Sequence, residues 1–329
     1  MHPLINNPSN DNCFQPIFIV GNPRSGTTLL AVLIDRHSDI SIPPETHYYD
    51  QFIHEFRMKL NNLSKGQMVR YALENERIKD LNLDYHEVLE IFTKYERSKA
   101  NLLRSILECY AEKRNKKIFG EKTPMHLRFV NEIMSDFPAA KIICIIRDGR
   151  DSILSTLNAP WGMAEVPRRL EKLCVKWREN AKKSLKYLNK YPNNFTLLKY
   201  EDLLLNPENE LKKLCVFIGV KYEQRLLDQN IQSDVVPEWE TDWKGNSYKG
   251  IDASRIEAWR KTSDNNKIWI MNSMMGNTLK KHGYRSTHLE GCPVHKKIIL
   301  MIKTIAYIQH IRPISRACIR LLRALKLTA

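Results

Sequence analysis

The first patterned stretch of the chain is "PIFIVG", residues 16–21, a short apolar run that ends in glycine. A glycine-containing turn follows. "TLLAVLIDRH" then places apolar residues at helical spacing, so the order strand, loop, helix is predicted. Further strand-like runs stand at "DISIP", "KKIFG", "KIICIIR" and "FTLLKY". Most are continuously apolar rather than alternating, as in parallel strands covered on both faces, and together they predict a sheet of about five strands. The fold class is therefore α/β, a central parallel sheet flanked by helices.

Between these runs, residues from about Tyr48 to Lys116 carry helical periodicity, as in "HEVLEIFTKY" and "NLLRSILECYAEK", which predicts a helical insertion. "LRFVNEIMSDFP" predicts a helix stopped by Pro138, and "RRLEKLCVKWRENAKKSLKYLNKYP" a longer one stopped by Pro192. The inner face of the longer helix should carry Leu170, Leu173, Trp177, Ala181, Leu185 and Leu188, with Trp177 as core packing. "EWETDWKGNSYKGIDASR" has no period and reads as a long surface loop. The expected layout is one domain over residues 1–291 and a basic amphipathic tail over 292–329.

Composition narrows the classes. A chain of 329 residues with 43% apolar content can bury a sizeable core. Seven cysteines without paired C-x-x-C spacing read as reduced thiols, and the polar start "MHPLINNPSNDNCFQP" has no signal pattern, so a cytoplasmic protein is expected. "HEFRM" and "HEVLE" lack the second histidine of a zinc helix, and no metal site is expected. The formal charge of +15 points to an anionic partner, but eight lysines and arginines, with no acid, lie from Lys296 onward. That distribution argues against a nucleic-acid partner. In the tail, Arg316, Arg320 and Arg323 flank Ile319, Leu322 and Leu325, which suits peripheral membrane contact, packing on the protein's own domain, or a homodimer.

The loop "GNPRSGTT" has Gly21 and Gly26 at the spacing of a P-loop, but Thr27 stands where the phosphate-gripping lysine belongs. A glycine turn at a helix N-terminus still gathers backbone N–H groups and the positive helix end at one spot. Without the lysine the loop is poorly suited to γ-phosphate chemistry, and Arg24 inside it offers a planar fork for a tetrahedral oxyanion. Ser25, Thr27 and Thr28 add hydroxyl donors.

"PRSGTTLL" resembles the 5′-phosphosulfate loop of sulfotransferases that use 3′-phosphoadenosine 5′-phosphosulfate (PAPS), and the tyrosylprotein branch is the nearest likeness. The second signature of that family is a strand ending in arginine followed by a helix carrying a serine. "KIICIIRDGRDSILSTL" matches it, which implies that Arg147 and Ser155 hold the donor's 3′-phosphate. "GEKTPMH" resembles the segment that delivers a lysine to the sulfonate, here Lys122. "SIPPETHYY" places Glu45 and Thr46 where the tyrosylprotein enzymes carry their catalytic glutamate, which favours Glu45 over His47 as base. His126 reads as structural.

The resemblance further implies Tyr200, in "LLKYEDLLLNP", near the nucleotide, with packing under the sheet as the alternative. "WKGNSYKGIDASRIEAWRKT" resembles the segment that closes over the donor, with a departure: Glu257, Ala258 and Trp259 stand in place of Ser-Lys-Trp. Lys244, Lys249, Arg255 or Arg260 would then substitute at the 3′-phosphate. The implied reaction moves sulfonate from PAPS to an acceptor hydroxyl on a tyrosyl peptide, carbohydrate, lipid or small molecule. Glu45 serves as base, Lys122 and Arg24 stabilise charge, 3′,5′-ADP leaves and no metal takes part. The alternatives are an ATP-dependent small-molecule kinase and a nucleotide-binding, membrane-peripheral protein without catalysis.

Overall fold

In chain order the secondary structure runs β1 (Ile17–Gly21), α1 (Thr27–Asp35), β2 (Ile40–Ser41), α2 (Lys65–Leu73), α3 (Tyr85–Thr93), α4 (Lys99–Glu112), β3 (Ile118–Lys122), α5 (Val130–Asp136) and β4 (Lys141–Ile146). It continues with α6 (Gly149–Leu157), α7 (Arg169–Lys190), β5 (Phe195–Lys199), α8 (Tyr200–Leu205), α9 (Pro207–Ile218) and α10 (Asn265–Lys281). The computed structural model describes residues 15–53, 62–159, 169–241, 250–262 and 264–285; Lys244, Lys249 and the basic tail lie outside them.

Five strands form one parallel sheet in the order β2-β3-β1-β4-β5. The fold class and strand number match the expectation from the apolar runs. Ile17, Phe18, Ile19 and Val20 are all 0% exposed, so β1 is covered on both faces, and a two-sided core removes the reason to alternate polar and apolar residues. In register, Gly21 lies opposite Ile145 and Ile19 opposite Lys122. Because the strands are parallel, their C-terminal ends share one edge. The chain leaves β1 for β2 and β3 on one side and then crosses from β3 past β1 to β4 on the other, so the loop after β1 stands at a switch point, where such sheets place ligands.

These strands belong to a compact unit made of residues up to Ile146 together with Lys183–Ala253. The predicted insertion is helical, and α2, α3 and α4 join the sheet in one apolar cluster. Met68, Val88, Phe92, Leu103 and Ile106 share it with Phe18 and Val20 of β1. Local chemistry starts each helix. Ser64 and Gln67 close a reciprocal capping box on α2, Asp84 accepts from the amides of His86 and Glu87 on α3, and Ser98 caps α4 through Asn101.

A second unit comprises Arg147–Lys182 and the chain from Ser254. Its described part packs α6 and α10 around the first half of α7. Trp177 is buried and donates from Nε1 to the Arg147 carbonyl at 3.2 Å, and a Cβ on Gly149 would meet its ring at 2.7 Å. Trp177 is core, as expected, but the buried face of α7 is rotated from the leucine stripe. Cys174, Val175, Trp177, Asn180, Ala181, Ser184 and Tyr187 are buried, whereas Leu170, Leu173, Leu185 and Leu188 are only half-buried. Small side chains let neighbouring backbone approach closely, a contact that hydrophobicity alone does not signal.

The turn after β1 depends on one glycine. Gly26 has φ +95°, and a Cβ there would lie 2.3 Å from Cδ2 of Tyr200. A left-handed φ costs an ordinary residue about 1–2 kcal/mol before any clash. Gly26→Ala should therefore lower the urea midpoint by at least that equivalent. In a double-mutant cycle with Tyr200→Ala, the steric part of the loss should disappear while the backbone part remains. A Gly26→Ala protein as stable as the parent would contradict this account.

Candidate functional site

The loop Asn22–Gly26 folds back on itself, with the Ser25 amide donating to the Asn22 carbonyl at 3.2 Å. Arg24 and Gly26 both take left-handed φ, 65° and 95°, the kind of turn in which backbone amides can converge on an anion. The α1 helix that follows has no side-chain cap hydrogen bond and no acid in its first turn. Ser25 is 0% exposed, and its Oγ has no hydrogen-bond partner. An uncapped helix start and a buried, unsatisfied hydroxyl are the residue set that an oxyanion completes. Tyr200 is 5% exposed and its ring closes against Gly26. It packs on the loop as a shaping wall.

A lysine from another strand, Lys122, reaches the start of α1. It is the last residue of β3 and its side chain is 0% exposed, yet its Nζ lies 2.6 Å from Glu45 Oε1 and 3.4 Å from Thr28 Oγ1. Three segments separated in sequence, the turn after β1, the chain leaving β2 and the end of β3, thus meet at one ammonium. Glu45 is only 11% exposed in its side chain, so it is no surface acid. Arg24, Ser25, Gly26, Thr27, Thr28, Glu45, Lys122 and Tyr200 all belong to the first unit.

Glu45 also touches groups that the sequence reading left aside. His47 takes φ 50°, a left-handed conformation that histidine adopts more readily than most residues. Its Nε2 stands 3.3 Å from Glu45 Oε2, and its Nδ1 is 3.1 Å from Asp50 Oδ2. Burial works against a charge on this ring, but Asp50 and Glu45 outweigh it and raise the His47 pKa above 6.5. Asp50 sits in the π turn Tyr48–Phe52, which begins directly after His47.

On the opposite side of β3, Glu121 is also 0% exposed. Consecutive strand residues point to opposite faces, so Glu121 faces away from the lysine and anchors the backbone instead. It accepts from Thr46 Oγ1 at 2.9 Å, Thr123 Oγ1 at 2.5 Å and His126 Nδ1 at 2.8 Å. Burial disfavours its charge, but His126, Thr123 and Thr46 outweigh that and hold its carboxyl below the usual range. His126 is fully buried, as a structural role requires. Burial would lower its pKa, while Glu121 and Asp50 push it up to about 9. The Tyr49 amide competes, because its N–H points at Nε2 from 3.1 Å and needs the lone pair of a neutral ring. Asp50 Oδ1 stands 3.4 Å from the same nitrogen, so the amide and the carboxylate compete for Nε2, while Nδ1 faces Glu121.

The second unit holds Arg147, Ser155 and Arg255. Arg147 is 7% exposed, and its Nη2 donates to the Arg255 carbonyl at 2.8 Å, while Ser155 lies half-buried on α6. Asp148 caps α6 and grips Arg150 with both oxygens, at 2.9 and 2.6 Å. Arg150 also donates to Asn272 and the Arg285 carbonyl, and it stacks on Trp259 at 3.8 Å. The amide of Trp259 donates to Asp151 at 2.7 Å. Arg260 makes two bonds to Glu257, at 2.7 and 2.9 Å, so this candidate is already engaged. Lys244 and Lys249, the other candidates of that segment, lie outside the described residues.

Among the described residues no group of three or more His, Cys, Asp or Glu side chains is placed to hold a metal ion, and no helix is long and apolar enough to cross a membrane. Cys109, Cys144, Cys174 and Cys215 are buried free thiols.

A family model described as the sulfotransferase family matches residues 16–224, which contain both loop signatures and the Glu45 and Lys122 segments. Protein-tyrosine sulfotransferase 1 of Danio rerio is 26% identical over 212 residues, covering 64% of this chain and 55% of the zebrafish protein. A putative protein-tyrosine sulfotransferase of Caenorhabditis briggsae is 24% identical over 217 residues, with 66% of this chain and 69% of that one covered. The chain thus spans about half the length of the zebrafish relative. Among solved structures, the sulfotransferase domain from the Synechococcus PCC 7002 olefin synthase superposes with a TM-score of 0.60 at 19% identity, over 87% of this chain and 98% of that domain. The sulfotransferase domain from the curacin biosynthetic pathway gives 0.60 at 20% identity, over 83% and 99%. These likenesses agree with the five-stranded fold, and the match to more than half of its residues places the chain in the sulfotransferase family.

Proposed function

We propose that the protein transfers a sulfonate group from PAPS to the hydroxyl of an acceptor, with Glu45 as the base. The observation that carries this reading is the position of Lys122, whose Nζ reaches both the loop hydroxyl of Thr28 and the carboxylate of Glu45. A lysine so placed faces the oxyanion in the loop and the group that deprotonates the acceptor. When bound, the donor supplies a sulfonate whose S–O bond to the phosphate breaks as the acceptor oxygen bonds to sulfur, releasing 3′,5′-ADP.

The protein's part is to bind, neutralise and take a proton. The amides of Gly26, Thr27 and Thr28, the Ser25 hydroxyl and the Arg24 guanidinium hold the phosphosulfate, which fits the unsatisfied Ser25 Oγ and the uncapped start of α1. Lys122 and Arg24 neutralise charge as it develops, the work that magnesium performs at triphosphate sites. Glu45 accepts the proton of the acceptor hydroxyl. Arg147 and Ser155, with Arg255, are the proposed partners of the 3′-phosphate. The curated relatives are named for protein tyrosine, so a tyrosyl peptide is the acceptor to test first.

Calorimetry with 3′,5′-ADP and labelled transfer from PAPS test the proposal directly. Binding of the nucleotide without magnesium is expected, and failure to bind it would end this reading. Arg147→Ala should raise the Michaelis constant for PAPS about tenfold with little change in turnover, whereas Glu45→Ala should cut turnover about a hundredfold and leave 3′,5′-ADP affinity nearly intact. Equal loss of nucleotide affinity in both variants would refute this division of labour. Lys122→Met should abolish turnover and also lower the denaturation midpoint, because it strips Glu45 of its partner in a mostly buried setting. An unchanged midpoint would show that the ion pair is not holding the segment after β2.

A further inference from the structure

The His47 ring is placed between two carboxylates. Its nitrogens face Glu45 Oε2 at 3.3 Å and Asp50 Oδ2 at 3.1 Å. A neutral imidazole has one N–H and one lone pair, so in either tautomer one of these contacts would set a lone pair against a carboxylate oxygen. With both carboxylates ionised, only the imidazolium satisfies both. The side chains of Glu45, His47 and Asp50 are 11%, 13% and 12% exposed, so water screens that conflict only in part. The observed geometry is therefore that of a ring carrying its second proton.

We propose that His47, braced by Asp50, is the proton store behind Glu45. This rests on the sulfonate-transfer reading. The active form is the one in which His47 has lost that second proton, with Nδ1–H donating to Asp50. The proton that leaves the acceptor hydroxyl goes to the Glu45 carboxylate and passes from Oε2 to the lone pair on Nε2 of His47. The pair ends as carboxylate and imidazolium, and the proton later leaves to solvent from the partly exposed ring. No oxidant or further reactant is needed. His47 touches Glu45 rather than the reacting atoms, so it is a positioning residue.

The need for such a store follows from Lys122. An ammonium 2.6 Å from Oε1 stabilises the charged form of Glu45 and makes it reluctant to keep a proton. The other charged and titratable groups around the ring, among the described residues, come from β3 and the turn after it. Lys122 lies beyond Glu45; Glu121 and His126 lie beyond Asp50, with His126 Nε2 facing both Asp50 Oδ1 and the Tyr49 amide. The His47 amide donates to Thr123 Oγ1 at 3.2 Å, which fixes the backbone from which the ring projects. Asp50 and Glu45 outweigh burial and raise the ring's pKa above 6.5, so it keeps its proton to higher pH than a free histidine.

The working enzyme needs the neutral ring, so turnover should rise with pH as His47 loses its proton, along a limb above 6.5. Asp50→Asn removes one of the two carboxylates that hold the imidazolium, and the limb should move to lower pH. His47→Gln keeps an N–H toward Glu45 but cannot take up a proton. It should erase the limb and lower kcat about tenfold or more while 3′,5′-ADP binds as in the parent. A His47→Gln enzyme with the parent's limb and kcat overturns the proposal. The full chain also allows a test without turnover, by following the His47 ring by NMR through a pH titration. Its pKa should fall in both Asp50→Asn and Glu45→Gln, and a ring that titrates identically in all three proteins overturns the proposal as well. If the parent neither binds 3′,5′-ADP nor transfers sulfonate, the sulfotransferase reading fails, and the ring titration still decides whether the two carboxylates hold the proton.

Discussion

A fully buried ammonium at the end of β3 is the constraint around which this site is organised. Taking a lysine out of water costs several kcal/mol unless a partner of opposite charge meets it. Lys122 meets Glu45 at 2.6 Å and Thr28 at 3.4 Å. Because Lys122 is fixed by the register of β3 on β1, the groups that satisfy it are fixed as well. The segment leaving β2 is thereby tied to the loop after β1. A carboxylate and the glycine turn after β1 are brought into reach of one cation by the same contacts that make the buried charge tolerable.

Glu121, the neighbour of Lys122 in the strand, shows why this arrangement is rigid. Two successive strand residues are charged and fully buried, one on each face of the sheet. Lys122 holds Glu45 on one face, while Glu121 binds Thr46, Thr123 and His126 on the other. Glu45 and Thr46 are adjacent in the chain, so the segment after β2 is gripped from both sides. His47 follows with a left-handed φ, and its amide is bonded to Thr123. Strain in the backbone at that residue is held in place by contacts on both flanks.

Much of this was legible in the sequence because parallel strands leave continuous apolar runs and glycine turns leave fixed spacings. All five strand-like runs became strands, and Gly26 occupies the left-handed position that the loop needs. Lys122 and Glu45 were reached through resemblance; composition alone offered no reason to join residues so far apart in the chain. What escaped were roles set by tertiary contact. His47 and Asp50 are three apart in "HYYD", a spacing that also suits any helix start, and only the π turn brings ring and carboxylate together. Glu121 carried no signal of its own, since nothing in "FGEK" says that both faces of the strand are covered. On α7 the leucines marked the wrong centre of the buried face, because Ala181, Ser184 and Cys174 pack by smallness rather than hydrophobicity.

The arginines of the second unit show a related limit of motif reading. "RDGRDS" offers Arg147 and Arg150 with equal charge and nearly equal burial, 7% and 1%. Geometry separates them. Arg150 spends its fork on both oxygens of Asp148, with further bonds to Asn272 and the Arg285 carbonyl, and lies flat on Trp259. A planar fork used in this way cannot also clamp a phosphate without giving up a bidentate, charge-assisted pair. Arg260 is engaged by Glu257 in the same manner. Arg147 is also held, standing 3.9 Å from Asp151 and donating to the Arg255 carbonyl, but without a bidentate carboxylate pair, so its choice for the 3′-phosphate rests on the family signature. In a chain this basic, an arginine's candidacy as a ligand therefore depends less on its charge than on whether an aspartate or glutamate already holds its fork.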